Sequence, residues 1–112
     1  MRKVYFVFLS VFLLALLSFG LLLETPEVET LSVETVILNE EYFVMNTGTT
    51  QVLLANVYPF NANNQNIIWT SSDPSVATVE DGVITAISAG NVKITATSEE
   101  GAFEDYCYVD VV

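Results

Sequence analysis

From Val33 onward, apolar and polar residues alternate in short blocks separated by turn formers, and no segment repeats apolar residues at helical spacing. The blocks predict strands over Val33–Leu38, Tyr42–Met45, Thr50–Tyr58, Ile67–Ser71, Val76–Val79, Gly82–Ile87, Val92–Ser98 and Phe103–Val111. Successive side chains of a strand point to opposite faces, so alternation also sorts inside from outside. It sends Leu53, Ala55 and Val57 inward from one strand, Ile67 and Trp69 from the next, then Val92, Ile94 and Ala96, and finally Cys107, Val109 and Val111. Four such rows make one core, with Trp69 packed between two sheets as an anchor.

Between the blocks stand Asn46–Gly48, Pro59–Asn66, Ser72–Ser75, Asp81-Gly82, Ala89–Asn91 and Glu99–Gly101, all rich in residues that favour turns or accept positive backbone torsions. Asp73-Pro74 places a side-chain acceptor before a residue of pre-set torsion, which reverses the chain at low entropic cost. Asp81-Gly82 between two alternating runs is a hairpin signal. The expected fold is all-β: an immunoglobulin-like two-sheet sandwich of about seven to eight short antiparallel strands.

The first residues follow another rule. Arg2 and Lys3 precede an apolar run, Val4 to Leu23, interrupted only by Ser10, Ser18 and Gly20. A basic start followed by an apolar block is an export signal, and about 20 apolar residues also suffice to cross a bilayer as a helix. Residues 1–23 are therefore read as a signal peptide or an uncleaved membrane anchor. Ser18 and Gly20 favour cleavage after Gly20, while the length favours an anchor. In either case Arg2 and Lys3 keep the N-terminus inside, so that everything after Leu23 lies outside the membrane. Residues 24–32, with Pro26 and several glutamates, read as an acidic linker.

Removing the leader changes the charge. Of 112 residues, 14 are acidic and 3 are basic, and with Arg2 and Lys3 set aside Lys93 alone faces all 14 acids. A surface for nucleic acid or anionic lipid needs several bases, so neither partner is expected, and membrane contact is expected only through the N-terminal segment if it is retained. Cys107 is the single cysteine, so no disulfide can form within the chain; with no histidine to activate it, it reads as a small buried hydrophobe.

The run "IIWTSSDPSVATVEDGVITAISAGNVKITATSEEG", with "LLANVYP" before it and "YCYVDVV" after it, closely resembles the bacterial immunoglobulin-like domain of group 2, the module known from intimin- and invasin-type adhesins. The resemblance covers residues 33–112. It implies a disulfide-free sandwich that serves as a rod segment, spacer or binding module on bacterial surfaces, and it implies no catalysis.

The residues agree with that implication. Zinc sites and Ser-His-Asp or Cys-His arrangements need histidines or several cysteines, which the chain lacks. The acidic neighbours Glu80-Asp81, Glu99-Glu100 and Glu104-Asp105 point to opposite faces of a strand or into water, so their spacing builds no shared catalytic cleft. Calcium takes oxygen ligands, and Glu99, Glu100, Glu104 and Asp105 are the acids that could offer them. No catalytic, cofactor or metal residues are assigned, and the ligand-binding residues are left open. Leu53, Ala55, Val57, Trp69, Ile94, Ala96, Cys107 and Val109 are assigned to the structural core.

The expected function is an exported, non-enzymatic module for cell-surface interaction, adhesion or structural spacing, located outside the cell and meeting a surface protein or polysaccharide. The alternatives are a glycan-contacting accessory module of an envelope carbohydrate-active system and a fragment of a longer surface protein. Tyr42, Phe43, Tyr58 and Phe60 distinguish these: together on one outward platform they would offer a stacking surface for sugars.

Overall fold

A computed structural model describes residues 29–112. Nine strands follow one another: β1 (Thr35–Leu38), β2 (Tyr42–Met45), β3 (Thr50–Val52), β4 (Ala55–Tyr58), β5 (Ile67–Ser71), β6 (Ala77–Glu80), β7 (Val83–Ala86), β8 (Gly90–Ser98) and β9 (Glu104–Val111). No helix occurs among the described residues. Residues 1–23, read from the sequence as a signal peptide or membrane anchor, lie outside them.

One layer is the four-stranded sheet β2-β9-β8-β5, and the other is formed by β1-β4 and β3-β7-β6. These two smaller sheets follow each other because β3 and β4 are successive pieces of one extended stretch. The sequence pattern predicts a single strand over Thr50–Tyr58, but the stretch changes partners in the middle. Before the change β3 pairs with β7, and after it β4 pairs with β1. At the switch the Leu53 amide donates to the Gly82 carbonyl, while the Leu54 amide donates to the Asn39 side chain and the Asn39 amide to the Leu54 carbonyl. Alternation survives the switch, since Leu53 and Val57 are buried and Ala55 half-buried between exposed Leu54 and Asn56. Facing is therefore right where strand count is not.

A second departure concerns direction. All strands were expected to run antiparallel, yet β2 lies parallel to β9, with Tyr42 opposite Tyr108 and Met45 opposite Val111. The chain crosses from one layer to the other between Leu38 and Tyr42, and the crossing is held by the Leu38 amide donating to the Asp105 carboxylate at 2.8 Å. The stretch crosses without reversing, and β9 runs in the same direction as β2, so the two pair parallel.

The turns behave as their chemistry dictates. Asp81 and Gly82 both have positive φ, 51° and 83°, and join paired Glu80 and Val83, which is the backbone of a two-residue hairpin loop whose twist matches the strands. Asp73 closes the β5–β6 turn by accepting from both the amide and the hydroxyl of Ser75. These bonds favour the ionised carboxylate and hold the Asp73 pKa below its ordinary value.

The layers enclose one apolar cluster that includes Val36, Leu38, Met45, Leu53, Val57, Ile84, Val92, Ile94, Ala96, Cys107, Val109 and Val111. Burying a large aliphatic side chain contributes roughly 1.5–3 kcal/mol, so a few such residues outweigh any surface contact in this small domain. Trp69 and Ala55 are only half-buried and pack against the cluster. Trp69 lies on the end strand β5, where its ring covers the Gly82 turn rather than sitting fully between the layers. The only buried polar residue described is Ser98, whose hydroxyl donates to the Glu100 carbonyl and accepts from the Phe103 amide.

Candidate ligand-binding face

The outer face of the four-stranded sheet is fixed by what its inner face buries. On β9, burial of Cys107, Val109 and Val111 turns Tyr106 and Tyr108 outward, and both are exposed. On β2, Met45 is buried and Tyr42 and Val44 face solvent. Register places Tyr42 opposite Tyr108 on one side and Lys93 of β8 opposite Tyr108 on the other. Three tyrosines and Lys93, the single Lys or Arg among the described residues, thus share one patch.

Within the patch the Tyr106 and Tyr108 rings stand 5.5 Å apart and nearly perpendicular, at 77°. The Lys93 ammonium sits 4.8 Å from the centre of the Tyr106 ring, a cation–π distance. Tyr42 donates its hydroxyl to Asp110 at 2.6 Å, and Asn91 donates to the other oxygen of the same carboxylate. The Asp110 bond and negative charge hold the proton on the Tyr42 phenol, raising its pKa above the ordinary value. Beside these rings a concavity of about 280 Å³ is lined by Glu41, Asp105, Tyr106 and Tyr108. Asp105 is fixed there, because one oxygen accepts from Leu38 and the other from the Tyr106 amide.

Of the four aromatics whose facing was to distinguish the readings, only Tyr42 lies on this face, and the four form no common platform. Phe43 points inward and packs on the core. Tyr58 and Phe60 pair with each other at 4.6 Å around the end of β4, and Phe60 is 72% exposed. Tyr106 and Tyr108 were the residues to add, and their outward facing was implicit in the same alternation that sent Cys107 and Val109 inward. What the sequence lacked was the parallel pairing that brings Tyr42 beside them.

Two of the acids offered for calcium have other partners. Glu99 accepts from the side-chain amides of Asn64 and Asn66, bonds that lower its pKa, while Asp105 is tied to Leu38. Among the described residues no three of His, Cys, Asp and Glu gather as a set that could hold a metal ion.

Cys107 is fully buried, and burial, reinforced by the negative charges of Glu40, Asp105 and Glu41, pushes its thiol up to about 11 from an ordinary 9.0. The folded chain keeps this proton over a range where the unfolded chain loses it. The thiol's share of stability is therefore whole below pH 9.0 and is lost as pH rises through about 11. Iodoacetamide at pH 8 is expected to leave the native thiol unmodified over hours and to modify it within minutes in urea. Equal rates in the two conditions would show that the thiol is accessible. In addition, Cys107→Ala should flatten the fall in urea midpoint between pH 9 and pH 11.

A family model described as the bacterial Ig-like domain (group 2) matches residues 32–109. An uncharacterised protein of Clostridium acetobutylicum is 38% identical over 77 residues, which cover 67% of this chain and 19% of that protein. An alpha-L-arabinofuranosidase of Bifidobacterium longum subsp. longum is 41% identical over 66 residues, 58% of this chain and 6% of the relative. A lacto-N-biosidase of Bifidobacterium bifidum is 38% identical over 79 residues, 70% of this chain and 7% of the relative. The chain thus spans a small part of the length of the curated relatives it matches. Among solved structures, the S-layer protein SbsC superposes with a TM-score of 0.60 at 20% identity over 71% of this chain and 13% of that one, a likeness of fold.

Proposed function

Because the chain belongs to the bacterial Ig-like domain (group 2) family, we propose that it works outside the cell as a non-enzymatic module that spaces or presents surface components. The observation that carries this reading is where the chain enters and leaves the sandwich. Leu31, just before β1, exchanges hydrogen bonds with Asn63 in the β4–β5 loop, and that loop is bonded to Glu99 in the β8–β9 turn. Val112, just after β9, bonds instead to Met45 and Thr47, beside the Gly48 to Ala86 bond. Entry and exit therefore lie at opposite poles, the arrangement that lets a module sit in line between other parts. The glycosidase relatives, similar to this chain over a small part of their own length, support a role beside larger machinery on or outside the cell.

Catalysis finds no support in the site. Asp105 and Asp110 are engaged with Leu38, the Tyr106 amide, Tyr42 and Asn91, which favours them as fixed acceptors over a proton-shuttling acid and base. The full chain, expressed in a bacterium with a C-terminal epitope, is expected to be reached by antibody on intact cells or recovered from the medium, and to release no sugar from glycan substrates. Confinement to the cytoplasm would sink the location; release of sugar that stops when Asp105 becomes Asn would sink the non-enzymatic reading.

A second reading, contact with glycans, is favoured by one observation: three tyrosines on the solvent face of a single sheet, beside a concavity that also holds carboxylates. The lacto-N-biosidase and arabinofuranosidase relatives are named for acting on sugars, which fits an accessory role of this kind.

A further inference from the structure

We infer that the concavity beside β9 is a saccharide subsite in which Tyr106 and Tyr108 contact a sugar ring of a neutral glycan while Glu41 and Asp105 accept from its hydroxyls. The inference rests on the glycan-contact reading and is independent of spacing.

A pyranose presents C–H groups on its faces and hydroxyl donors around its edge, so it is held by an aromatic ring against a face and by oxygen acceptors at the rim. The concavity contains both kinds of group and little else. Its two rings stand at 77°, so they cannot both lie flat on one sugar; one stacks while the other closes the side. Asp105 is held in place by the Leu38 and Tyr106 amides and keeps lone pairs free, whereas exposed Glu41 can swing to a hydroxyl. Binding to fixed groups loses less conformational freedom than binding to mobile ones.

Charge decides among ligands that could lie on such a face. An acidic glycan would meet Glu41, Asp105, Glu104 and Asp110 on or beside the patch, within a chain of strongly negative net charge. A basic peptide would dock its cation over a tyrosine, but over Tyr106 that position is taken by Lys93. Neutral hexoses and N-acetylhexosamines carry neither liability and can use both carboxylates as acceptors.

The test is calorimetric titration of the full chain, held in a detergent without a sugar headgroup, with cellohexaose, chitohexaose (N-acetylated), laminarihexaose and, as the anionic arm, hexagalacturonate. At least one neutral hexasaccharide is expected to bind with a Kd of about 0.1–1 mM, the scale supported by so small a contact. Tyr106→Ala or Tyr108→Ala should weaken it by about tenfold or more, and Glu41→Gln by about threefold. Tyr106→Phe, which keeps the ring, should retain most of the affinity, and urea midpoints of the alanine variants close to the parent's show that their effect is not unfolding. Phe60→Ala, in the other aromatic pair, should leave binding unchanged. The inference is overturned if no neutral hexasaccharide binds at millimolar concentration, if hexagalacturonate binds as well as they do, or if both alanine variants bind like the parent. Location and turnover are read in the separate cell assay, so loss of sugar binding with surface exposure intact rejects this subsite alone. Binding by a chain confined to the cytoplasm would reject export and leave the subsite standing.

Discussion

Gly82→Ala is expected to destabilise the fold by about 3 kcal/mol, a large share of the stability of a small domain. Gly82 has φ of +83°, where a side chain costs roughly 1–2 kcal/mol through the clash of Cβ with its own backbone. The larger difficulty lies in the neighbouring stretch of the same layer. A Cβ at this position would come within 2.6 Å of the Leu53 carbonyl oxygen and 3.3 Å of the Trp69 ring. The first neighbour is backbone and cannot swing away. It belongs to the residue whose amide donates to the Gly82 carbonyl at 2.8 Å, so relief of the clash pulls apart the bond that ties the β6–β7 hairpin to the strand switch. Gly48 provides the control, since its φ is +89° but nothing lies within 4 Å of an added Cβ. Gly48→Ala should therefore show the torsional cost alone, about 1 kcal/mol. Urea unfolding followed by the fluorescence of Trp69, the single tryptophan, measures both. Equal losses at the two glycines would mean that the close approach to Leu53 is absent in solution.

The Gly82 contact also marks the limit of what can be read from the chain. Asp81-Gly82 announces its hairpin because both positions need positive φ, a local property of two residues. Asp73-Pro74 announces its turn for a similar reason, and the structure adds the Ser75 bonds. Facing is equally local: a residue two places along points the same way whichever strand lies alongside, which is why Val57, Ile94, Ala96, Cys107 and Val109 are all found buried. Partner choice is different. Nothing in "QVLLANVY" says that Val52 will pair with Val83 while Ala55 pairs with Leu38, because the change is imposed by Gly82 and Asn39 from distant parts of the chain. Nor does "YFVM" say that it will lie parallel to β9. The binding face falls between these cases. Tyr106 and Tyr108 face out by alternation, but their concavity exists only because the Leu38–Tyr42 crossing carries Glu41 past the edge of β9 and Asp105 holds that crossing. The core position of Trp69 shows the converse: its facing is inward, yet it sits on an end strand where the partner layer offers only a turn to cover it.

The claim that facing governs stability can be tested with one residue type in two neighbouring strands. Ile94→Ala is expected to cost about 2–5 kcal/mol, the range for large-to-small changes at buried aliphatics, whereas Ile68→Ala should cost under about 1 kcal/mol. Ile94 is 0% exposed at the centre of β8, between Cys107 on β9 and Ser71 on β5, with the opposite layer closing over it. Removing its outer carbons leaves a cavity that the flanking strands cannot fill, because their registers are pinned by hydrogen bonds along the whole of β8. Ile68 lies on β5, opposite Thr97, and is 52% exposed on the outer face, so the same truncation removes atoms already facing water. The two variants lose the same groups and lie on adjacent strands of one sheet. Any difference in their urea midpoints therefore reports side-chain facing and little else. Similar losses at both sites would mean that the outer face is covered in solution, which would also hide the tyrosines of β9 and remove the surface on which a sugar is proposed to bind.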